Sequence, residues 1–119
     1  MNHKDVQDYV LAAKSIGRTI AFQGDDDEEV DFDFWEPLVE NGRDYDFWNP
    51  IDSSDDAFTL AAQIGFKTLC DEHGQAYVWL KDELLWNEFA LNEGSVYERA
   101  AALRRAIFRA AVVVGKRMK

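Results

Sequence analysis

A chain of 119 residues with 47% hydrophobic and 13% aromatic content has enough apolar material for one folded domain with a real core. Its single cysteine, Cys70, excludes an internal disulfide and reads as a small buried hydrophobe in a reducing cytoplasm. The net charge of −10 is unevenly spread: all 23 acids lie at or before Glu98 against six bases, net −17, and the remainder holds seven bases and no acid. A polyanionic half of this kind disfavours nucleic acid as a ligand, except through the basic C-terminal segment. No apolar run is long enough to span a bilayer, and acids stand near the N-terminus where a signal peptide would be apolar, so a soluble, unprocessed cytoplasmic protein is expected.

In chain order, Asn2 can cap a first helix whose buried stripe is Val6, Tyr9, Val10 and Ala13, with Lys4, Asp8 and Lys14 pointing away and Gly17 as the stop. The stretch Arg18-Thr19-Ile20-Ala21-Phe22 has the β-branched and aromatic content of a short strand. Asp25, Asp26, Asp27, Glu28 and Glu29 cannot bury anything and read as a solvated loop. Asp31-Phe32-Asp33-Phe34-Trp35 then alternates with period two, and a near copy follows as Asp44-Tyr45-Asp46-Phe47-Trp48. Asn41-Gly42 between them favours a tight turn, and Pro37 is expected to bend or end the first of the two strands. The expectation is an acidic aromatic hairpin at about residues 25–48, with its aromatic face toward the core and its carboxylate face toward solvent.

Asn49-Pro50 marks a turn, because proline fixes its own φ and pushes its predecessor out of the helical region. Ser53 or Ser54 can cap a helix starting near 54, with Asp52, Asp55 and Asp56 at the positive end of its dipole. Ala57, Leu60, Ala61 and Ile64 follow at helical spacing, and Gly65 can adopt the left-handed cap. Lys67 to Cys70 and Ala76 to Leu80 flank a turn-rich pentapeptide and predict a second hairpin, with a further strand over 85–91. Ser95 and Glu98 have capping-box spacing ahead of a helix over 96–114. Its apolar stripe is Ala100, Leu103, Ile107, Ala111 and Val114, and Arg105, Arg109 and Lys116 lie opposite. The element order predicts an α+β sandwich, three helices covering a mainly antiparallel sheet of about four to six strands, in one domain over 1–119.

Trp48-Asn49-Pro50-Ile51, Asp56-Ala57-Phe58-Thr59-Leu60-Ala61 with Ile64-Gly65, and Arg104-Arg105-Ala106-Ile107-Phe108-Arg109-Ala110-Ala111 with Gly115 resemble the ABA sandwich proteins of tailed phages and prophages. Leu11-Ala12-Ala13-Lys14 with Gly17 resembles that family's opening helix. The likeness covers most of the chain in short pieces. Ser53, Ser54 and Asp55 stand where the family usually shows an acidic pair and glycine, Tyr97 lies a turn early, and the insert over 25–47 has no counterpart there. The resemblance implies an αβα layered fold and a phage or prophage origin; it brings no activity or catalytic residues.

The chemistry-bearing residues point away from catalysis. His3 and His73 are the only histidines and neither has a ligand-spaced partner, so no metal or other cofactor is expected. Residues 25–29 lack the spaced ligands and glycine of a calcium loop, and no phosphate loop or nucleophile elbow is present. Asp31, Asp33, Asp44 and Asp46 could serve hydrolysis only with a cleft and perturbed acids, and alternating strand carboxylates more commonly form a solvent face. The expected role is a non-enzymatic binder whose contact residues are Asp25, Asp26, Asp27, Glu28, Glu29, Asp31, Asp33, Asp44 and Asp46. The partner class is a host protein with a basic nucleic-acid-binding surface, such as a CRISPR or restriction complex, approached by DNA mimicry. Arg99, Arg105 and Arg109 are secondary interaction candidates, although arginines on such a helix more often solubilise or pair with the chain's own acids. The alternative is a phage accessory or assembly module acting as a homodimer or larger homo-oligomer, through that helix or through aromatic strands bearing Trp35, Trp48 or Trp86.

Overall fold

In the computed structural model the described residues are 3–23, 36–41, 44–90 and 95–118. Among them the elements run α1 (His3–Lys14), β1 (Ile20–Gln23), β2 (Glu36–Asn41), β3 (Asp44–Phe47), α2 (Ser54–Ile64), β4 (Phe66–Cys70), β5 (Gln75–Leu80), β6 (Glu83–Phe89) and α3 (Val96–Arg117). The fold is α+β and every strand pairing is antiparallel. The strands do not join one sheet of four to six; they form two sheets of three, ordered β1-β2-β3 and β4-β5-β6.

The segment into α2 follows from local chemistry. The Asn49 carbonyl accepts from the Ser53 amide at 2.8 Å, and the Ser53 hydroxyl accepts from the Asp56 amide at 3.2 Å, supplying the N-cap. Asp56 reaches back to accept from the Asn49 amide at 2.9 Å. At the other end Gly65 takes φ 89° and donates its amide to the Ala61 carbonyl. This left-handed conformation costs a residue without Cβ almost nothing, so the chain turns directly into β4.

α3 is the centre of the packing. It lies on all three strands of β4-β5-β6 and also against α1 and α2. Ala76 and Val78 alternate inward from β5 to meet it, and Thr68 and Trp86 stand opposite Val78 on the same sheet face. A β-bulge at Val78/Trp79 inserts Leu85 as an extra residue in β6, so Leu85 and Trp86 both pack against the core. Because α3 is contacted on several sides, its buried set is wider than one stripe: Ala102, Ala106, Ile107, Phe108, Ala110, Ala111, Val112 and Gly115. Ala100, Leu103 and Val114 of the expected stripe are only half-buried. α2 and α3 thus lie on the same face of β4-β5-β6, and α1 packs on α3.

Against α3, α1 places Tyr9 in an aromatic cluster, 4.8 Å from Phe108 and 6.2 Å edge-on to Trp48 between ring centroids. The Tyr9 hydroxyl donates to Asn49 at 2.8 Å, tying α1 to the turn before α2. Asp8, expected to point away, is instead 7% exposed and pairs with Arg109. Arg109 and Arg105, expected on the solvent face, are half-buried and bonded. A helix with neighbours on several sides cannot keep a polar face free, so its long cations lay their stems on the core and find partners.

Two smaller expectations concern single residues. Pro37 is the second residue of β2, paired with Phe22, and the strand over 31–35 that it was expected to bend or end lies outside the described residues. Ser95 occupies the N-cap of α3 but makes no side-chain cap bond, and a buried oxygen of Glu98 has no partner, so the reciprocal capping box is not formed.

Candidate functional site

The acidic candidates fall in two groups. Asp25, Asp26, Asp27, Glu28, Glu29, Asp31 and Asp33 lie outside the described residues, as does Trp35. Asp44 and Asp46 sit two positions apart on β3, an edge strand of its sheet, in register with Asn41 and Val39 of β2.

Of the basic candidates, Arg105 and Arg109 are committed within the chain. Arg109 Nη1 donates to Asp8 Oδ2, and Arg105 donates to the Phe89 carbonyl at 3.1 Å with Glu88 Oε1 3.6 Å away. Arg117 forms a two-bond fork with Glu83 at 2.7 and 2.8 Å; this bond holds the Glu83 carboxyl below, and the Arg117 guanidinium above, their ordinary values. Arg99 is half-buried at the start of α3, where its carbonyl lies 3.7 Å from Cys70 Sγ. Burial pushes the Cys70 thiol up, which suits an inert half-buried cysteine. His73 is an exposed turn residue 3.6 Å from Glu72, and its amide and that of Gln75 are both held by Asp71 Oδ1. No cluster of three or more metal-ligating side chains occurs among the described residues.

Two surfaces emerge that sequence reasoning did not single out. The first is the face of β4-β5-β6 turned away from α3. Tyr77 and Trp79 stack there at 5.6 Å and 17°, Lys67 lies 5.7 Å from the Trp79 centroid, and Leu69, Leu84 and Phe89 are exposed nearby. Trp48 and Trp86, the described tryptophans proposed for self-association, face the core instead: Trp48 is 6% exposed, and the Trp86 indole donates to Glu88 at 2.7 Å. The signal was present in the parity of the strands, since Lys67 and Leu69, like Tyr77 and Trp79, are two apart.

The second surface is a cleft of about 410 Å³ between α2, α3 and β4. Ala57, Ala61 and Ala62 from α2 and Ala100 from α3 leave room where two helices and a strand meet; Phe66, Thr68, Leu103 and Ile107 complete its walls. Ser54 and Arg104 provide the polar edge, with Arg104 Nε donating to the Ile51 carbonyl at 2.8 Å and Nη1 to Ser54 Oγ at 3.1 Å. The alanine-rich composition of α2 was the legible hint.

No family model, curated protein or solved structure matches this chain. No helix among the described residues is long and apolar enough to cross a membrane.

Proposed function

We propose that this is a small acidic binding protein of phage or prophage origin that acts without chemistry, by occupying the basic nucleic-acid-binding surface of a host protein such as a CRISPR or restriction complex. The observation that carries the reading is the charge: with 23 carboxylates and 13 bases, at least ten carboxylates have no base in the chain to pair with. The contacts of α3 sharpen it, because three of its bases, Arg105, Arg109 and Arg117, are already taken by Glu88, Asp8 and Glu83. An uncompensated polyanion raises the energy of the folded chain through self-repulsion, and a basic groove relieves that repulsion while steering encounter at a salt-dependent rate. The contact residues are Asp25 to Glu29, Asp31, Asp33, Asp44 and Asp46. The phage resemblance supports the choice of a host defence partner.

Capture from a bacterial lysate tests it, with the wild type and a variant carrying Asp31, Asp33, Asp44 and Asp46→Lys, at low and moderate salt. A nucleic-acid enzyme held by the wild type alone and released by salt is the expected outcome. Equal capture by both proteins at both salts would reject the acidic contact.

A second reading, a phage assembly module acting by homo-oligomerisation, is favoured by the exposed Leu69, Leu84 and Phe89 beside the half-buried Trp79 on β4-β5-β6. Sedimentation of the wild type and Trp79→Ser distinguishes it: a concentration-dependent dimer lost in the variant supports self-association, and a monomer at all concentrations rejects it.

A further inference from the structure

We infer that the cleft between α2, α3 and β4 binds a small apolar molecule carrying one carboxylate, its body against the alanine-lined walls and its head on Arg104. This site is separate from the acidic surface and does not depend on that reading. Its volume of about 410 Å³ falls within the ~300–1,000 Å³ typical of small-molecule sites and exceeds the ~150 Å³ that accommodates a benzene ring. Apart from Thr68 on the β4 wall, the polar lining residues are Ser54 and Arg104, which are bonded to each other, and this asymmetry specifies an amphiphile over a plain hydrocarbon.

Arg104 determines the head group. Unlike Arg105, Arg109 and Arg117, it has no carboxylate within ion-pair distance among the described residues. Its two hydrogen bonds, to the Ile51 carbonyl and Ser54 Oγ, fix the plane of the guanidinium and leave three of its five N–H donors for a ligand. Such a planar fork matches a carboxylate in two-bond geometry. A phosphate dianion fits less well, because among the described residues this one cation alone lines the cleft and Asp55 and Asp56 occupy the first turn of α2 beside Ser54. Phe58, 75% exposed at the rim, supplies an aromatic surface that a bound chain would cover.

The test uses decanoate and decanol as probes, below their aggregation concentrations, followed by calorimetry and amide chemical shifts of the full chain. Decanoate should saturate one site and shift the amides of Ala57, Ala61, Thr68 and Ala100. Arg104→Gln should weaken decanoate about tenfold, the loss of one charge-assisted interaction, and leave decanol unchanged. Ala100→Phe, which fills the cleft, should abolish binding of both. If that variant does not give the wild-type circular dichroism spectrum, Ala62→Leu at the exposed rim carries the same prediction. The inference is overturned if decanoate does not saturate, if decanol binds as tightly as decanoate, if the filled variant still binds, or if the shifts map to the Tyr77 and Trp79 face.

Discussion

Gly115→Ala is the most direct probe of how α1 and α3 are held together. Gly115 is buried in the last part of α3 against the backbone of α1. A Cβ added there would lie 2.0 Å from the Leu11 carbonyl oxygen, 2.7 Å from its carbon and 3.1 Å from the Leu11 Cα. All three are backbone atoms, so no side-chain rotation relieves the contact. Ordinary contact begins near 3.4 Å, so the helices must part locally by about 1.4 Å, which is an overpacking perturbation costing roughly 3 kcal/mol. Alanine opposes this by stabilising a helix interior by about 1 kcal/mol relative to glycine. The clash wins, leaving a net loss of about 2 kcal/mol and a melting temperature lower by roughly 8 °C in a domain of this size. The separation also strains the Tyr9–Phe108 contact and the Asp8–Arg109 pair, so near-ultraviolet dichroism should weaken before global unfolding. Urea denaturation of wild type and variant measures the difference. A variant as stable as the wild type, or more so, would refute the close approach of the helices at Gly115.

Three further outcomes are expected. The Asp8 side chain is 10% exposed and that of Arg109 35%, so removing either partner alone leaves a poorly solvated charge and should cost about 2 kcal/mol, whereas Asp8→Leu combined with Arg109→Leu should cost less than the two single changes summed; strict additivity in a double-mutant cycle would argue against the pair. Ser53→Ala removes the N-cap of α2 and should destabilise by about 1 kcal/mol in urea unfolding, while Ser95→Ala, whose side chain makes no cap bond, should leave stability nearly unchanged; equal losses would contradict the capping geometry. The Arg117 hydrogen bond depresses the Glu83 carboxyl in the folded state, so its contribution is present above the unfolded value of about 4.3 and fades as pH falls through the lower folded value. The small melting-temperature advantage of wild type over Glu83→Gln should therefore be present at neutral pH and vanish in acid; a difference that persists in acid would exclude this linkage.

Elements whose hydrogen bonds close within a few residues were legible in the sequence. The Asn49-Pro50 turn, the Ser53 cap and the Gly65 stop bracket α2 because each satisfies backbone groups of its own neighbours. The β4–β5 hairpin was legible for the same reason, since Asp71 accepts amides inside its own turn. What could not be read locally was the number of neighbours an element would acquire. A single stripe was expected on α3; the observed helix is buried on several sides, which draws in Phe108, Val112 and Gly115 and turns Asp8 inward.

The candidate sites divide along the same line. The acidic half and the basic end follow from residue identity, because charge adds without regard to conformation. Sequence alone thus determined the α+β class, the three helices, the caps of α2 and the excess of at least ten carboxylates. Only tertiary structure decided the split into two sheets, the commitment of Arg105 and Arg109 to internal partners, the Tyr77 and Trp79 face, and the cleft beside Arg104. These depend on which distant surfaces meet, through contacts such as Arg104 with Ile51 across 53 positions of chain, and no local pattern of residues encodes that distance.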